Sequence, residues 1–346
     1  MSILTKIKKS LHNNLPFVAY RKPMDNKINC FIQRDNSLYC SSNLNASGFV
    51  FAPFNYTNDN AVVIPADKSY FYKEVFCIDN IPKVNYNDAA DLSSRQSYID
   101  LVKKAIKDIN KGCFTKVVLS RKELVQHSVL NWAQVFKKLL SAYPNAMAYI
   151  WHHPKIGLWL GATPEILVKI KYNKFETTAL AGTLPYLENV SAQWTLKEID
   201  EQKIVSNFIV EKLKPLCSYI SIGKAQTLRA GNLVHLNTKI KGVVKGRANE
   251  LIKILHPTPA VCGMPVKEAK DFIFFNEAYK RTFYTGFLGE LNFDNNDCEI
   301  FVNLRCMEVK NNKAFIYIGG GITKDSVPEN EWEETVAKAM IIKKML

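Results

Sequence analysis

Between Met147 and Thr183 the chain strings together strand-like apolar runs separated by very short turns. Met147–Trp151 and Ile156–Leu160 are followed by Gly161-Ala162-Thr163-Pro164-Glu165, then by Ile166–Ile170, then by a strand carrying Thr177-Thr178-Ala179-Leu180-Ala181-Gly182-Thr183. Parallel neighbours need a crossover of a dozen or more residues, whereas antiparallel ones join through tight turns. The pattern therefore predicts antiparallel sheets and argues against a run of βαβ units. No Gly-x-Gly-x-x-Gly follows a strand and no Walker loop is present, so nucleotide binding has little support. Glu165 interrupts two apolar strands at a turn, either as a solvated turn acid or as a carboxylic acid poised over a pocket.

Residues 1–90 alternate short β-like runs (Ile28–Ile32, Gly48–Pro53, Ala61–Ile64, Tyr70–Cys77) with Asn/Asp-rich turns and read as sheet and scaffold. The first 24 residues hold no acid, and Lys6, Lys8 and Lys9 sit beside Ile3, Leu4, Ile7 and Leu11, as in a basic amphipathic first helix. Ser93-x-x-Gln96 is a capping-box signal for a helix carrying Tyr98, Leu101, Val102, Ala105, Ile106 and Ile109 and ended by Gly112. A strand follows from Cys113 to Arg121, with Lys116 at its apolar start. A lysine there either snorkels to solvent, the commoner outcome, or is held as a functional amine. Asn131-x-x-Gln134 opens a second helix, with Val135, Phe136, Leu139, Leu140 and Tyr143 as its stripe and Pro144 closing it. Ala192 to Leu213 reads as a long helix on which Glu201 continues the apolar face of Ile204, Val205, Phe208 and Ile209. An acid on a buried stripe needs a cation or a hydrogen-bond partner, so an ion pair to a core arginine and a metal ligand are both open. Phe301 to Arg305 reads as a strand presenting an arginine suited to gripping a carboxylate.

Near the end, the apolar strand Tyr317-Ile318 runs into Gly319-Gly320-Gly321-Ile322, and a polar turn leads to a helix containing Glu331 to Lys338. Glycines let a backbone come close to a ligand. Glu331, Glu334, Thr335 and Lys338 share one helix face, while Trp332, Val336 and Ala339 form an apolar stripe. Two carboxylates, a hydroxyl and an ammonium beside an open glycine backbone compose a site for a cation and an anionic ligand. A capped surface helix with internal ion pairs has the same spacing.

The formal net charge is +14 over 346 residues, but the basic residues are spread along the chain, without arms, arginine-rich runs or an RNP-like motif. Such an excess suits capture of small anions as well as nucleic acid, and the expectation is no nucleic-acid partner. None of the eight cysteines forms a Cys-x-x-Cys pair, which suggests free thiols in a reducing cytosol. No apolar run approaches the ~20 residues of a transmembrane helix, so no membrane partner is expected.

Ten segments then add up to a familiar series. They are Lys116-Val-Val-Leu-Ser-Arg121, Gly161-Ala-Thr-Pro-Glu165, Leu180-Ala-Gly-Thr183, Glu201-Gln202 with Ile204-Val205, Val234-His-Leu-Asn-Thr238, Leu255-His-Pro-Thr-Pro-Ala-Val261, Tyr284 with Gly286 and Gly289, Leu304-Arg305, Gly319 to Ile322, and Glu331 to Lys338. Through them the chain resembles the chorismate-utilising enzymes, the family of anthranilate synthase component I, and among these most closely the isochorismate synthases. The resemblance implies an α+β fold: two large antiparallel sheets stacked face to face, flanked by helices, in a single domain over residues 1–346. Residues 1–90 would be its N-terminal scaffold and 91–346 its catalytic core.

It further implies Lys116 as general base, Glu165 as general acid, and Glu201 and Glu334 as Mg²⁺ ligands. Gly182, Thr183, Tyr284, Arg305, Gly319 and Lys338 would contact the carboxylates of chorismate, with His235 near the ring. The implied reaction is Mg²⁺-dependent conversion of chorismate to isochorismate by a cytoplasmic monomer, feeding menaquinone, siderophore or salicylate synthesis. Such a reaction needs a base for water on one face of the ring and an acid for the departing hydroxyl on the other. Lys116 favours water as the nucleophile over the ammonia-adding relatives, and Ala181 stands where aminodeoxychorismate-type relatives carry a lysine. Salicylate synthase, which goes on to eliminate pyruvate, is the alternative; a non-catalytic basic binding protein is the alternative of another class. Gln202, Cys262, Asn303 and Gly320 depart from commoner His, Gly, Ala and Ala, and none removes an implied acid, base or ligand.

Overall fold

The computed structural model describes residues 1–77, 94–125, 131–186, 188, 191–230, 233–293, 297–310 and 313–346, and within these not the side chains of Thr183, Pro185, Lys197, Ala230, Leu233 and Ala248. The N-terminal part holds α1 (Ile3–His12), β1 (Phe17–Arg21), β2 (Lys27–Gln33), β3 (Tyr39–Cys40), β4 (Gly48–Ala52), β5 (Val62–Pro65) and β6 (Ser69–Val75). Next come α2 (Arg95–Asn110), β7 (Lys116–Val125), α3 (Trp132–Ala142), β8 (Met147–His153), β9 (Gly157–Thr163), β10 (Ile166–Lys171), β11 (Lys174–Pro185) and α4 (Leu196–Leu213). After these lie β12 (Cys217–Ile222), β13 (Gln226–Ala230), β14 (Leu233–Val244), α5 (Ala248–Leu255), β15 (Gly263–Met264) and α6 (Val266–Asn276). The chain closes with β16 (Phe287–Phe293), β17 (Asp297–Val302), β18 (Cys306–Lys310), β19 (Lys313–Ile322) and α7 (Pro328–Lys343).

Among the described residues the strands form two sheets. One runs β15-β7-β19-β18-β9-β8-β1-β2-β6, and the other runs β12-β14-β11-β10-β17-β16-β4-β5-β3, with β13 paired to β14. The pairings are antiparallel, as the short turns between Met147 and Thr183 require. Strands from the first 77 residues enter both sheets, so that segment is part of the stack.

Alternate residues of each strand point to opposite faces, and this builds separate apolar layers. Val18, Phe31, Trp151 and Trp159 of the first sheet meet Phe49, Phe51, Leu288 and Phe301 of the second. Phe51 lies 4.8 Å from Trp151 and stacks on Phe283 at 4.3 Å. Each such fully buried side chain contributes roughly 1.5–3 kcal/mol relative to exposure. Outside, Ile7, Leu139 and Ile342 of α1, α3 and α7 cover the first sheet, and Val205, Phe208 and Leu251 of α4 and α5 cover the second. Helices α2, α6 and α7 close over β7 through Val102, Phe272, Leu119 and Trp332.

Two helix starts differ from the sequence reading. Helix α4 begins at Leu196, not Ala192, because Thr195 and Glu198 form a capping box there, supplying partners to orphan N–H groups. Ser93 lies outside the described residues, and α2 is described from Arg95 with Ser94 as its cap. Asn131 caps α3 as expected, accepting from the Gln134 N–H.

One irregularity positions the site. β18 pairs with β19 only from Met307↔Ile316 to Lys310↔Lys313, whereas β7 follows β19 out to Val117↔Ile322. Beyond Ile316, among the described residues, β19 has a strand partner on one side only. Gly319, Gly320 and Gly321 occupy that open edge, and α7 packs beside it.

Candidate active site

The open edge borders a cavity lined by Glu165, Gly182, Glu198, Glu201, His235, Tyr284, Arg305, Gly319, Gly320, Gly321, Glu334 and Lys338, with Leu180, Ala181 and Leu304 among its apolar walls. Its volume of about 140 Å³ leaves room for a small molecule.

Lys116 heads β7 and is fully buried, so the snorkelling outcome favoured for an isolated strand lysine does not hold. It stays inside because a carboxylate meets it: Nζ donates to Glu201 Oε1 at 2.8 Å. The acid on the α4 stripe thus pairs with a lysine where the sequence reading considered a core arginine. A methyl group on Gly321 would lie 2.8 Å from Glu201 Oε1 and 3.1 Å from Lys116 Cε. The missing side chain at Gly321 is therefore what admits both groups to the cavity.

Glu165 sits in the β9–β10 turn with 6% exposure. Its N–H bonds Thr163 Oγ1 at 3.3 Å, and its carbonyl accepts from Val302 at 2.9 Å. Burial pushes its carboxyl up to about 7, against the opposing pull of Lys116, Arg305 and Lys338. Arg305 is not on a strand as the sequence suggested. It lies in the bend between β17 and β18, with φ +49°. Ending β17 early lets Arg305 turn into the cavity in place of alternating with its neighbours.

On the opposite wall Gly182 adopts φ +74° at a bulge, where the β11–β14 register shifts between Ala181 and Thr183. A methyl group there would come within 3.0 Å of Glu198 Cβ. The Gly182 carbonyl faces His235 Nδ1 at 3.1 Å. A carbonyl only accepts, so Nδ1 carries the proton. Burial, reinforced by Arg305 and Lys338, pushes the imidazole down to about 3, so His235 is neutral at pH 7. The Thr183 side chain lies outside the described ones. Tyr284 stacks on Tyr317 at 5.3 Å, and its hydroxyl would meet a methyl on Gly319 at 2.9 Å. Lys338 donates to the Gly319 carbonyl at 3.1 Å and to Glu334 Oε1 at 2.6 Å.

Of two further acids beside the site, Glu331 was grouped with Glu334 by helical spacing and Glu198 was not singled out from sequence. Glu198 lines the cavity while its carboxylate closes the capping box on the Thr195 N–H (3.0 Å) and hydroxyl (2.5 Å). The Thr-x-x-Glu spacing at Thr195 is the signal that could have found it. Glu331, 3% exposed, reaches the glycine edge, its Oε2 lying 3.5 Å from where a methyl on Gly320 would be. Thr335, grouped by helical spacing with Glu334 and Lys338, is instead turned toward Arg121.

A model of chorismate binding enzymes matches residues 76–346. The chain belongs to the chorismate binding enzyme family. It is similar to the isochorismate synthase DhbC of Bacillus subtilis, 29% identical over 265 residues that cover 70% of this chain and 66% of that protein. It is also similar to the salicylate biosynthesis isochorismate synthase of Pseudomonas aeruginosa, 29% identical over 276 residues, covering 77% and 58%. The chain thus spans less than two thirds of the length of these curated relatives. The crystal structure of DhbC from Bacillus anthracis superposes with a TM-score of 0.82 at 23% identity, covering 99% of each chain, which shows the shared fold.

The donor set of this family member suits a hard cation. Glu201 Oε1 stands over Gly321, and Glu331 Oε2 and Glu334 Oε1 stand 3.5 and 3.6 Å from a methyl position on Gly320. Carboxylate oxygens thus border two adjacent glycines, with Glu201 Oε1 and Glu334 Oε1 also accepting from the Lys116 and Lys338 ammoniums. Among the described residues no three or more His, Cys, Asp or Glu side chains are grouped so that they could hold a metal ion between them. Mg²⁺ needs no such group, since it takes few protein carboxylates and retains waters.

Proposed function

We propose that this protein converts chorismate to isochorismate. The observation that carries the reading is a buried amine, Lys116, near enough to a buried cavity carboxyl, Glu165, to pull against the rise that burial gives that carboxyl. Lys116 takes a proton from a water whose oxygen bonds to one ring carbon. Glu165 gives its proton to the hydroxyl leaving another ring carbon, which departs as water while the ring double bonds shift. The protein ends with Lys116 as ammonium and Glu165 as carboxylate, and one proton must return before the next turnover. Arg305 and Lys338 offset the charge of the substrate's carboxylates. Neutral His235 borders the ring without adding charge.

Glu201 and Glu334 would hold Mg²⁺, which when bound orients a carboxylate of the substrate and offsets its charge. Glu334→Gln should raise the Mg²⁺ concentration for half-maximal activity by about 10-fold or more, as losses at metal sites do; an unchanged titration would count against metal ligation. The eight free thiols support a reducing, cytoplasmic setting, and among the described residues no helix is long and apolar enough to cross a membrane. The product would feed menaquinone or siderophore synthesis.

The deciding experiment is product analysis of pure protein with chorismate and Mg²⁺. Isochorismate without pyruvate is expected. Salicylate with stoichiometric pyruvate would establish the salicylate synthase reading, and no turnover with salt-sensitive DNA binding would establish a basic binding protein.

A further inference from the structure

Arg121 lies on β7 five residues after Lys116, an odd offset that turns it to the other face of the strand. There it meets α7. Its guanidinium lies 4.5 Å over the Trp332 ring, and its Nε donates to Thr335 Oγ1 at 2.8 Å. The Thr335 hydroxyl proton is already committed to the Trp332 carbonyl at 2.8 Å, so Arg121 receives a lone pair of fixed direction. Arg121 Nη1 also donates to Glu123 Oε2 at 2.6 Å, and Glu123 Oε1 pairs with Lys343 one helix end away. Arg121, Glu123, Thr335 and Lys343 are 5%, 2%, 0% and 2% exposed.

Burying three charges is a poor way to gain stability, because desolvation costs several kcal/mol per ion and apolar packing holds a helix as well. What such contacts supply is direction. Trp332 and Thr335 each follow a residue whose carboxylate borders the glycine edge, Glu331 and Glu334. A one-residue slip of α7 would rotate those carboxylates by about 100° and shift them by about 1.5 Å. Ala339 and Ile342 hold α7 to the apolar layer without directional bonds, whereas a stacked guanidinium with an aimed N–H fixes one orientation.

We propose that the Arg121–Thr335 contact sets the rotation and axial register of α7, and so aims Glu331, Glu334 and Lys338 into the cavity. Arg121 and Thr335 are positioning residues, and the Glu123–Lys343 pair at the far end of the helix holds the assembly without aiming it. The proposal rests on the reading of Glu334 as a cation ligand. Because β7 also carries Lys116, the clamp ties the proposed base and the proposed ligand to one strand.

The test uses Thr335→Val, which keeps the shape and removes the acceptor, with Thr335→Ser as the conservative variant and Lys343→Met, which leaves the Arg121–Glu123 bond in place, as the far-end control. Mn²⁺ binding is followed by electron paramagnetic resonance, with steady-state kinetics and amide exchange along α7. The valine variant should bind Mn²⁺ about 10-fold or more weakly, as loss of groups that orient metal ligands does, with a raised KM and faster exchange at residues 331–338. The serine variant should restore all three, and the far-end control should change Tm while leaving Mn²⁺ affinity and KM near wild type. A folded valine variant with wild-type Mn²⁺ affinity, KM and exchange overturns the proposal. If the wild-type protein itself binds no Mn²⁺, the cation reading falls, and the clamp is judged by exchange alone: unchanged protection of α7 in the valine variant overturns it. Should that variant not fold, Arg121→Lys, which keeps the charge but loses the planar fork, takes its place with the same outcomes.

Discussion

Lys116→Ala should give a folded protein whose turnover of chorismate is lower by about 10³-fold, inside the 10²–10⁴ range for removal of a positioned base. The fold should survive because β7 keeps its backbone pairing to β19 and β15. The acid left behind, Glu201, keeps 15% side-chain exposure and a route to water. Lys116→Arg separates charge from proton transfer. It keeps a cation opposite Glu201 but cannot lose a proton near neutral pH, so it should be as inactive as the alanine variant. Initial rates of isochorismate formation, read beside a melting curve, test both variants; near-normal rates in either would remove Lys116 from the role of base.

Glu165→Gln should lower turnover by a similar 10²–10⁴ factor and erase one limb of the pH profile. In the wild-type protein the acid must be protonated, and burial places its carboxyl at about 7. The limb on which kcat/KM falls as pH rises through about 7 should therefore belong to Glu165. The same shift has a stability signature. The folded-state value is raised from 4.5 to about 7, so the folded protein holds the proton more tightly than the unfolded chain. That contribution is complete below pH ~4.5 and is lost progressively as pH rises toward ~7, leaving a penalty of roughly 3 kcal/mol above it. Glutamine carries no such penalty, so the variant should be the more stable of the two at pH 8 and lose that advantage at pH 4. Denaturant melts at the two values check the sign; a difference independent of pH would place Glu165 in contact with water.

Much of the architecture was legible because periodicity is a local property. The runs between Met147 and Thr183 gave antiparallel neighbours, and the stripes of α2 and α3 ran where the apolar spacing put them. Local signals failed where two of them competed. The apolar pattern extended α4 back to Ala192, while the Thr195–Glu198 box starts it at Leu196. The strand-like residues Phe301, Val302 and Leu304 hid the end of β17 before Arg305. Thr335 shares helical spacing with Glu334 and Lys338, yet Arg121 from another strand claims its hydroxyl.

The amino-acid sequence alone determined the kinds of elements, the glycine run after Ile318 and, through ten ordered motifs, the family. Only the tertiary structure decided that Lys116 is buried against Glu201, that Glu165 holds a proton near pH 7 and that His235 is neutral. Spacing along one element states which side is apolar. Whether a charged group on that side loses its water, and which charge then faces it, depends on what other elements bring from far along the chain.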